Sequence, residues 1–267
     1  MMKRLNLFSI SETRKNKLTT SKGNQPKYFN ENNNFIKYDY LGYEGLSEII
    51  CSRLLDASSC SFFVHYNEFK GDDNKRGCIS KNFLLPNQKM ITLYRLFQSY
   101  QINIEKEMQS LNIVDKILYV ANKVEEITGI DNFLEWLVSM LKFDFLVLNE
   151  DRHFNNIAVV YNNNSDKFSL MPVFDNGAAL LSDLYDYPIH LPLNDNVKKV
   201  HSKPFSSNFK KQFDACCSIS NAAFLIDYNR IDIVKKNNFL YYNENEVNRC
   251  ITLLENRLCL FEKYFRM

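Results

Sequence analysis

The chain has 267 residues, of which 45% are hydrophobic, and its formal net charge at pH 7 is +2. A chain of this size can bury one large core or two modest ones. Because the charge is nearly balanced and no long block of like charge occurs, the composition argues against direct nucleic-acid binding and against a membrane-binding face.

The sequence also predicts a reduced, cytoplasmic protein. Its seven cysteines show no paired spacing apart from the adjacent Cys216 and Cys217, so neither a disulfide framework nor a zinc site is indicated. Residues 1–17 lack the apolar stretch of a secretory signal. The most apolar window, residues 133–148, is interrupted by three charged side chains and therefore predicts a buried helix rather than a membrane span.

The first 86 residues predict a small, strand-rich domain with one helix. A polar turn at residues 21–27 contains a glycine and a proline, which favour tight turns. Apolar residues recur at helical spacing from Leu46 to Leu55. Four strands are predicted in this domain, at residues 27–30, 34–38, 61–66 and 77–85.

Residues 87–267 predict a mostly helical second domain with one hairpin inside it. The hairpin strands cover residues 157–161 and 168–174, and an irregular segment rich in Asp, Pro and Asn occupies 180–205. Helical periodicity is found at residues 91–100, 113–127, 131–148, 208–228 and 243–264. Asp131 is a plausible N-cap for the third of these helices, and a break is expected near Ser220 in the fourth.

Acidic and amide side chains stand at both ends of the predicted hairpin. Asp151 and Asn156 lie in the polar loop before its first strand, and Asp175 follows its second. These ends lie side by side in an antiparallel hairpin, so the three side chains are expected to meet. Such oxygens suit Mg²⁺ and a phosphoryl group. The five-residue spacing of Asp151 and Asn156 also matches the catalytic loop of protein kinases.

Taken in order, these motifs resemble the HipA-like serine/threonine kinases, a family related in fold to protein kinases and phosphatidylinositol kinases. The resemblance rests on the Asp-x-His-x-x-Asn pattern at 151–156 and on the apolar strand with a proline at 170–175. The family's nucleotide loop looks like residues 23–27, and its ATP-binding strand lysine looks like Lys37 in FIKYD. The family's extra N-terminal subdomain is expected to be absent, because only about 20 residues precede the loop.

The resemblance implies an α+β, two-lobed kinase-like fold, with a nucleotide-binding lobe at residues 1–86 and a helical catalytic lobe at 87–267. Asp151 would orient the acceptor hydroxyl, and Asn156 and Asp175 would hold magnesium. Lys37 would neutralise the phosphates of ATP. The helix that follows supplies a glutamate to hold this lysine, for which Glu44 fits the spacing best and Glu48 is the alternative. The loop that would cover the phosphates contains Gly23, Asn24 and Gln25.

ATP and Mg²⁺ are the implied cofactors, and a protein with a Ser or Thr hydroxyl is the implied substrate. Many members of the family are toxins paired with an antitoxin protein, which is therefore an expected partner. Family members also phosphorylate their own nucleotide loop, so modification is expected at Thr19, Thr20 or Ser21, with the latter two favoured. The alternatives are a small-molecule or lipid phosphotransferase of this fold, and a non-catalytic nucleotide-binding protein.

Each residue has a structural alternative as well. Lys37 is also consistent with a solvent-facing strand lysine, and Glu44 with an acid at a helix start. His153 is interpreted as a structural hydrogen-bonding residue of the loop. Arg152 fits a phosphate contact and a loop salt bridge equally well.

Overall fold

Small antiparallel sheets and helices make up the computed structural model, which describes residues 27–29, 33–72, 74–221, 223–230, 232–235 and 239–267. The strands are β1 (Lys27–Phe29), β2 (Asn34–Tyr38), β3 (Asn67–Lys70), β4 (Arg76–Lys81), β5 (Gln88–Thr92), β6 (Ala158–Asn162) and β7 (Lys167–Leu170). The helices are α1 (Glu44–Asp56), α2 (Leu93–Ser99), α3 (Ile104–Met108), α4 (Ile113–Thr128), α5 (Phe133–Val147), α6 (Leu193–Val197), α7 (Phe209–Ile219), α8 (Asp232–Lys235) and α9 (Glu244–Phe265).

The first sheet has the strand order β1-β2-β4-β3, and Lys37 on the central strand β2 lies opposite Cys78 of β4. Helix α1 packs unusually close to this sheet. A Cβ atom on Gly45 would lie 2.6 Å from the carbonyl carbon of Gly77, and one on Gly77 would lie 1.9 Å from the Lys37 carbonyl oxygen. Gly45 therefore allows α1 to approach β4, and Gly77 allows β4 to approach β2. In this arrangement Glu48 of α1 is hydrogen-bonded to Lys37 of β2.

The second sheet has the order β5-β6-β7 and contains the predicted hairpin. Strand β5 was not predicted. Its residues are largely polar, and it forms by pairing with β6, which lies far away in sequence. The chain passes directly from β5 into α2 at Thr92, whose hydroxyl accepts a hydrogen bond from the Arg95 amide at 3.3 Å. The predicted helix at 91–100 therefore begins two residues late.

The helical part packs around α5, which is buried along most of its length as predicted. The Phe145 ring stacks on Phe213 of α7 at 4.0 Å between centroids and meets Phe261 of α9 at 4.7 Å. Helix α5 ends at Val147, and the next residue, Leu148, takes a left-handed backbone conformation with φ of 56°. The chain turns out of the helix there and enters the polar loop 149–156, so the core fixes the position of that loop.

Helix α9 joins the two parts of the chain. At its start, Glu246 closes a capping box with Asn243 and accepts two hydrogen bonds from Arg76 of β4, at 2.6 and 2.7 Å. Further along, Arg257 donates to the carbonyl oxygens of Phe145 and Leu146 near the end of α5. One helix thus holds both the first sheet and the helix that carries the polar loop.

Several sequence predictions are confirmed and others are wrong. The mixed class is confirmed, as is the break near Ser220, where α7 ends. Residues 61–66 form no strand and contribute one isolated bridge, from Phe63 to Val173. The N-cap of α5 is Asn132 rather than Asp131. All seven cysteines are unpaired, and no described helix has the length and apolar character of a membrane span.

We predict that Gly77→Ala lowers the free energy of unfolding by more than about 3 kcal/mol, because its methyl group would overlap the backbone of the neighbouring strand. Gly129→Ala is the matched control. Gly129 has a φ of 70° but nothing within 4 Å of an added Cβ, so only backbone strain of about 1 kcal/mol is expected. Urea unfolding of the three proteins tests this, and equal losses in the two variants would contradict it.

Candidate active site

One pocket gathers the three hairpin-end residues. Asp151, Asn156 and Asp175 all line it, so the sequence prediction that these side chains meet agrees with the structure. The other lining residues come from the α1 entry, the polar loop and the segment after Asp175: Leu41, Glu44, Glu150, Gly177, Ala178, Ser182, Asp183 and Tyr187. Among the described residues that line this pocket, five are carboxylates and none is a lysine or arginine, which is an environment suited to cations.

The buried guanidinium of Arg152 holds the polar loop in place. It pairs with both carboxylate oxygens of Asp144 on α5, at 2.8 and 3.0 Å, and donates to the Asn176 side chain at 2.6 Å. It also donates to the carbonyl oxygens of Phe174 and Asn156, at 2.8 and 3.2 Å. Of the two uses considered for Arg152, the salt bridge is confirmed, although it is a fully buried one.

Asn149 completes this polar network. Its side chain donates to Asp144 at 3.1 Å, and its amide oxygen accepts from the backbone N–H of Asp151 at 3.2 Å. Burial raises the pKa of Asp144, while the charge of Arg152 acts in the opposite direction. The network ties α5, the polar loop and the Asp175 turn into one unit.

The Asp151 carboxylate has partners on both oxygens. The side-chain nitrogen of Asn156 lies 3.3 Å from Oδ2 and 2.9 Å from the Asp151 carbonyl oxygen. The Nζ of Lys203 lies 3.1 Å from Oδ1, and Nε2 of His153 lies 3.5 Å from the same atom. Burial lowers the pKa of His153, which favours its neutral form, and its Nδ1 accepts from the Asn155 amide at 3.2 Å, in line with the predicted structural role.

Lys37 is buried and paired, unlike a solvent-facing strand lysine. Its Nζ lies 2.6 Å from Oδ1 of Asp175 and is hydrogen-bonded to Glu48 of α1. Burial alone lowers the pKa of Lys37, but the carboxylates of Asp175 and Glu48 outweigh that effect and raise the pKa well above its ordinary value. The lysine is therefore a fixed positive charge at the edge of the acidic pocket.

The prediction that Glu44 holds Lys37 is wrong, and the alternative, Glu48, occupies that position. The Glu44 carboxylate instead accepts hydrogen bonds from three consecutive backbone amides, those of Tyr40, Leu41 and Gly42, at 2.7 to 3.3 Å. It closes the turn that leads into α1. Glu44 does line the pocket.

Asp175 is held in a strained backbone conformation with φ of 60°, which is uncommon for a residue other than glycine. The turn is fixed by its neighbours. The second carboxylate oxygen of Glu48 accepts from the Asn176 amide at 2.8 Å, and the Ser47 hydroxyl donates to the Asn176 carbonyl at 2.8 Å. Helix α1 therefore positions both Lys37 and the turn that carries Asp175.

The predicted nucleotide loop cannot be placed against this site. Gly23, Asn24 and Gln25 lie outside the described residues, as do Thr19, Thr20 and Ser21. Their expected roles stay predictions.

Among the described residues, no group of three or more His, Cys, Asp or Glu side chains could hold a metal ion by itself. Mg²⁺ in phosphoryl-transfer sites is commonly held by one or two carboxylates together with substrate phosphates, rather than by a cage made only of protein. Asn156 and Asp175, which both line the pocket, fit that incomplete donor set, and the acidic lining suits a cation.

Known proteins resemble this chain in fold and not in sequence. No family model and no curated protein matches it. The crystal structure of the Helicobacter pylori proinflammatory kinase CtkA matches with a TM-score of 0.63 and 18% identity, over 90% of this chain and 91% of that one. The chain shares the fold of a kinase. The expected resemblance to HipA-like kinases is thus confirmed at the level of the fold.

A second match supports the same conclusion. HipA of Shewanella oneidensis MR-1, in a toxin–antitoxin complex with HipB and operator DNA, matches with a TM-score of 0.53 and 12% identity. The match covers 98% of this chain and 68% of HipA.

We predict that Arg152→Met destabilises the protein by about 3–5 kcal/mol at neutral pH, because it leaves the Asp144 carboxylate buried without its cation. The Asp144→Leu/Arg152→Met double variant should lose much less than the sum of the two single losses. Thermal and urea unfolding of all four proteins check this, and additive losses would count against the network.

The loss should also depend on pH. In the Arg152→Met variant the pKa of Asp144 rises further above its unfolded value, so the folded state binds a proton that the unfolded state releases. Stability of the variant relative to wild type is therefore expected to fall as the pH rises from about 4 to neutrality. A difference that stays constant over this range would show that Asp144 is not the group left unpaired.

Proposed function

We propose that the protein is an ATP- and Mg²⁺-dependent kinase that phosphorylates Ser or Thr hydroxyls of a protein substrate. The observation that carries this proposal is the single pocket in which Asp151, Asn156 and Asp175 meet, with the ammonium of Lys37 2.6 Å from Asp175. In this proposal residues 1–86 form the nucleotide-binding lobe and residues 87–267 the catalytic lobe.

Asp151 is assigned to the acceptor hydroxyl. Its carboxylate lies in the pocket, is nearly buried, and is oriented by Asn156. It would accept the hydrogen bond of the hydroxyl and take its proton as the hydroxyl oxygen bonds to the γ-phosphorus of ATP and the bond from that phosphorus to the ADP oxygen breaks. Phosphoryl transfer depends mainly on such positioning and on charge stabilisation.

Asn156, Asp175 and Lys37 are assigned to the nucleotide. When bound, Mg-ATP supplies the phosphoryl group, with its charge partly neutralised by the metal. The amide nitrogen of Asn156 faces Asp151, so its amide oxygen is the atom that would bind the metal. Lys37 supplies a positive charge for the phosphates, and Glu48 takes the holding role first assigned to Glu44.

The similarity in fold to CtkA, which is named a kinase, and to HipA supports a kinase function. The choice of a protein substrate follows from the resemblance of the sequence motifs to HipA-like kinases. The Shewanella HipA is described in a toxin–antitoxin complex with HipB, so we also propose an antitoxin-like partner protein for this chain. Phosphorylation of the nucleotide loop at Thr20 or Ser21 belongs to the same proposal, and mass spectrometry after incubation with Mg-ATP tests it.

We predict that Asp151→Asn and Asp175→Asn each lower the rate of phosphoryl transfer by about a thousandfold or more, because each removes a charge used in the transition state. The measurement is transfer of label from γ-labelled ATP, with and without Mg²⁺, to a panel of proteins and of small metabolites. Labelled metabolites with unlabelled proteins would favour the small-molecule alternative. Wild-type rates in both variants would refute the assignment.

Glu48→Gln and Glu44→Gln form a matched pair one helical turn apart. We predict that Glu48→Gln weakens Mg-ATP binding or turnover about 10- to 100-fold, since it removes a charged partner of Lys37 and a support of the Asp175 turn. Glu44→Gln should change both by less than about threefold, because the Glu44 carboxylate binds the turn before α1 and not Lys37, and the amide oxygen of the glutamine can still accept from the Leu41 amide. Calorimetry with Mg-ADP and steady-state kinetics give the two values, and the reverse order would restore the original assignment of Glu44.

A further inference from the structure

The irregular segment after the pocket brings a lysine to the proposed acceptor side of the site. Lys203 lies 52 residues beyond Asp151, and its Nζ is 3.1 Å from Oδ1 of that carboxylate. Asn156 approaches the other oxygen, Oδ2, at 3.3 Å. The carboxylate is therefore held by Asn156 and His153 of its own loop and by Lys203 from a distant part of the chain.

Hydrogen bonds from a buried side chain hold the backbone around Lys203 in place. The side chain of Gln212 on α7 is buried, and its nitrogen donates to the Lys203 carbonyl oxygen at 3.0 Å. Its oxygen accepts from the backbone amides of Phe205 and Ser206, at 3.0 and 3.2 Å. One glutamine thus bonds to the chain on both sides of Pro204 and leaves the loop little freedom to move.

Two further contacts fix the loop that contains Lys203. Ser202 closes it through its amide, which donates to the Ser207 carbonyl at 3.0 Å, and through its hydroxyl, which donates to the Ser206 carbonyl at 2.6 Å. The buried ring of Phe205 then packs edge-on against Phe154 of the polar loop, at 5.9 Å between centroids. The lysine loop and the loop that carries Asp151 are therefore packed against each other.

The contact itself contributes little to folding. The Lys203 side chain is 39% exposed, and an ion pair with such a partner is largely screened by water. Gln212 of α7 and the buried ring of Phe205 hold the backbone of the loop without the ammonium group. A partly exposed lysine held against the carboxylate assigned to the acceptor points to a role in the reaction.

We propose that Lys203 is a positioning residue, which acts through Asp151 by holding its carboxylate in the orientation that receives the acceptor hydroxyl. This inference rests on the proposed function. Each carboxylate oxygen has two lone pairs, so Oδ2, which accepts from Asn156, can still accept from a hydroxyl while Oδ1 binds Lys203. Lys203 forms and breaks no covalent bond: the hydroxyl proton passes to Asp151, and the lysine remains an ammonium throughout.

The test compares Lys203→Met, Lys203→Arg and the control Lys198→Met in the full-length chain. Lys198 is a lysine of the same segment, but it is exposed and paired with Asp195 at 3.0 Å, away from Asp151. We expect Lys203→Met to lower kcat about 10- to 100-fold, the range expected when a reacting group is misplaced. KM for ATP should change by less than about twofold, and Lys203→Arg should recover most of kcat. Melting temperatures of all three variants should match wild type.

Adding Lys203→Met to Asp151→Asn separates positioning from a structural role. If the lysine acts only through the carboxylate, the second change should lower the residual rate of Asp151→Asn by less than about twofold. Wild-type kcat in Lys203→Met, a full additional loss in the double variant, or a loss in Lys203→Met that Lys203→Arg does not recover would each overturn the proposal.

Failure of the proposed function gives a different result. In that case wild type transfers no label from ATP, or Asp151→Asn retains the full rate, and both proposals fall together. If wild type is active, Asp151→Asn is inactive and Lys203→Met is fully active, only the proposal for Lys203 is contradicted.

Discussion

The arrangement of the pocket depends on one buried guanidinium. Arg152 is fully buried, and its contacts join Asp144 of a core helix to the polar loop and to the turn at residues 174–176. A buried arginine is costly unless its donors are satisfied. Here they are satisfied by the groups whose mutual placement defines the site, so the cost of burying the charge is offset only when the loops adopt this arrangement.

The turn that carries Asp175 depends on a second buried charge as well. Lys37 bonds to Glu48 and Asp175, and Glu48 also accepts from the Asn176 amide. Two hydrogen bonds therefore hold the Asp175 turn. Arg152 donates to the Phe174 carbonyl oxygen, and Glu48 accepts from the Asn176 amide. This double support accounts for the left-handed backbone at Asp175, which a free loop would relax.

Site residues could be predicted from the sequence where they lie within one local pattern of strands and turns. Asp151, Asn156 and Asp175 are tied to each other by short spacing and by a hairpin, so their meeting followed from the pattern of strands and turns. Glu44 and Glu48 lie on adjacent turns of one helix, and their spacing does not show which carboxylate local backbone amides will bind. The Glu44 carboxylate accepts hydrogen bonds from the three backbone amides before α1. Lys37 therefore pairs with Glu48 instead.

Contacts between segments that lie far apart in the sequence, and that show no helical or strand periodicity, could not be predicted. Lys203 reaches Asp151 from an irregular segment, and only the three-dimensional path of that segment shows the contact. Strand β5 likewise owes its conformation to pairing with β6 rather than to its own residues. Arg152 had two plausible uses in the sequence, and only its burial beside Asp144 decides between them.

The polar network around Arg152 has a consequence for how such a chain can diverge. Asp144, Asn149, Arg152 and Asn176 satisfy one another in a buried space, so replacing any one of them leaves the others with unmet donors or acceptors. Exposed positions can change singly at little cost. These four are expected to be inherited as a block, kept together or replaced together, and a homologue that retains only some of them should have rebuilt the space with apolar side chains.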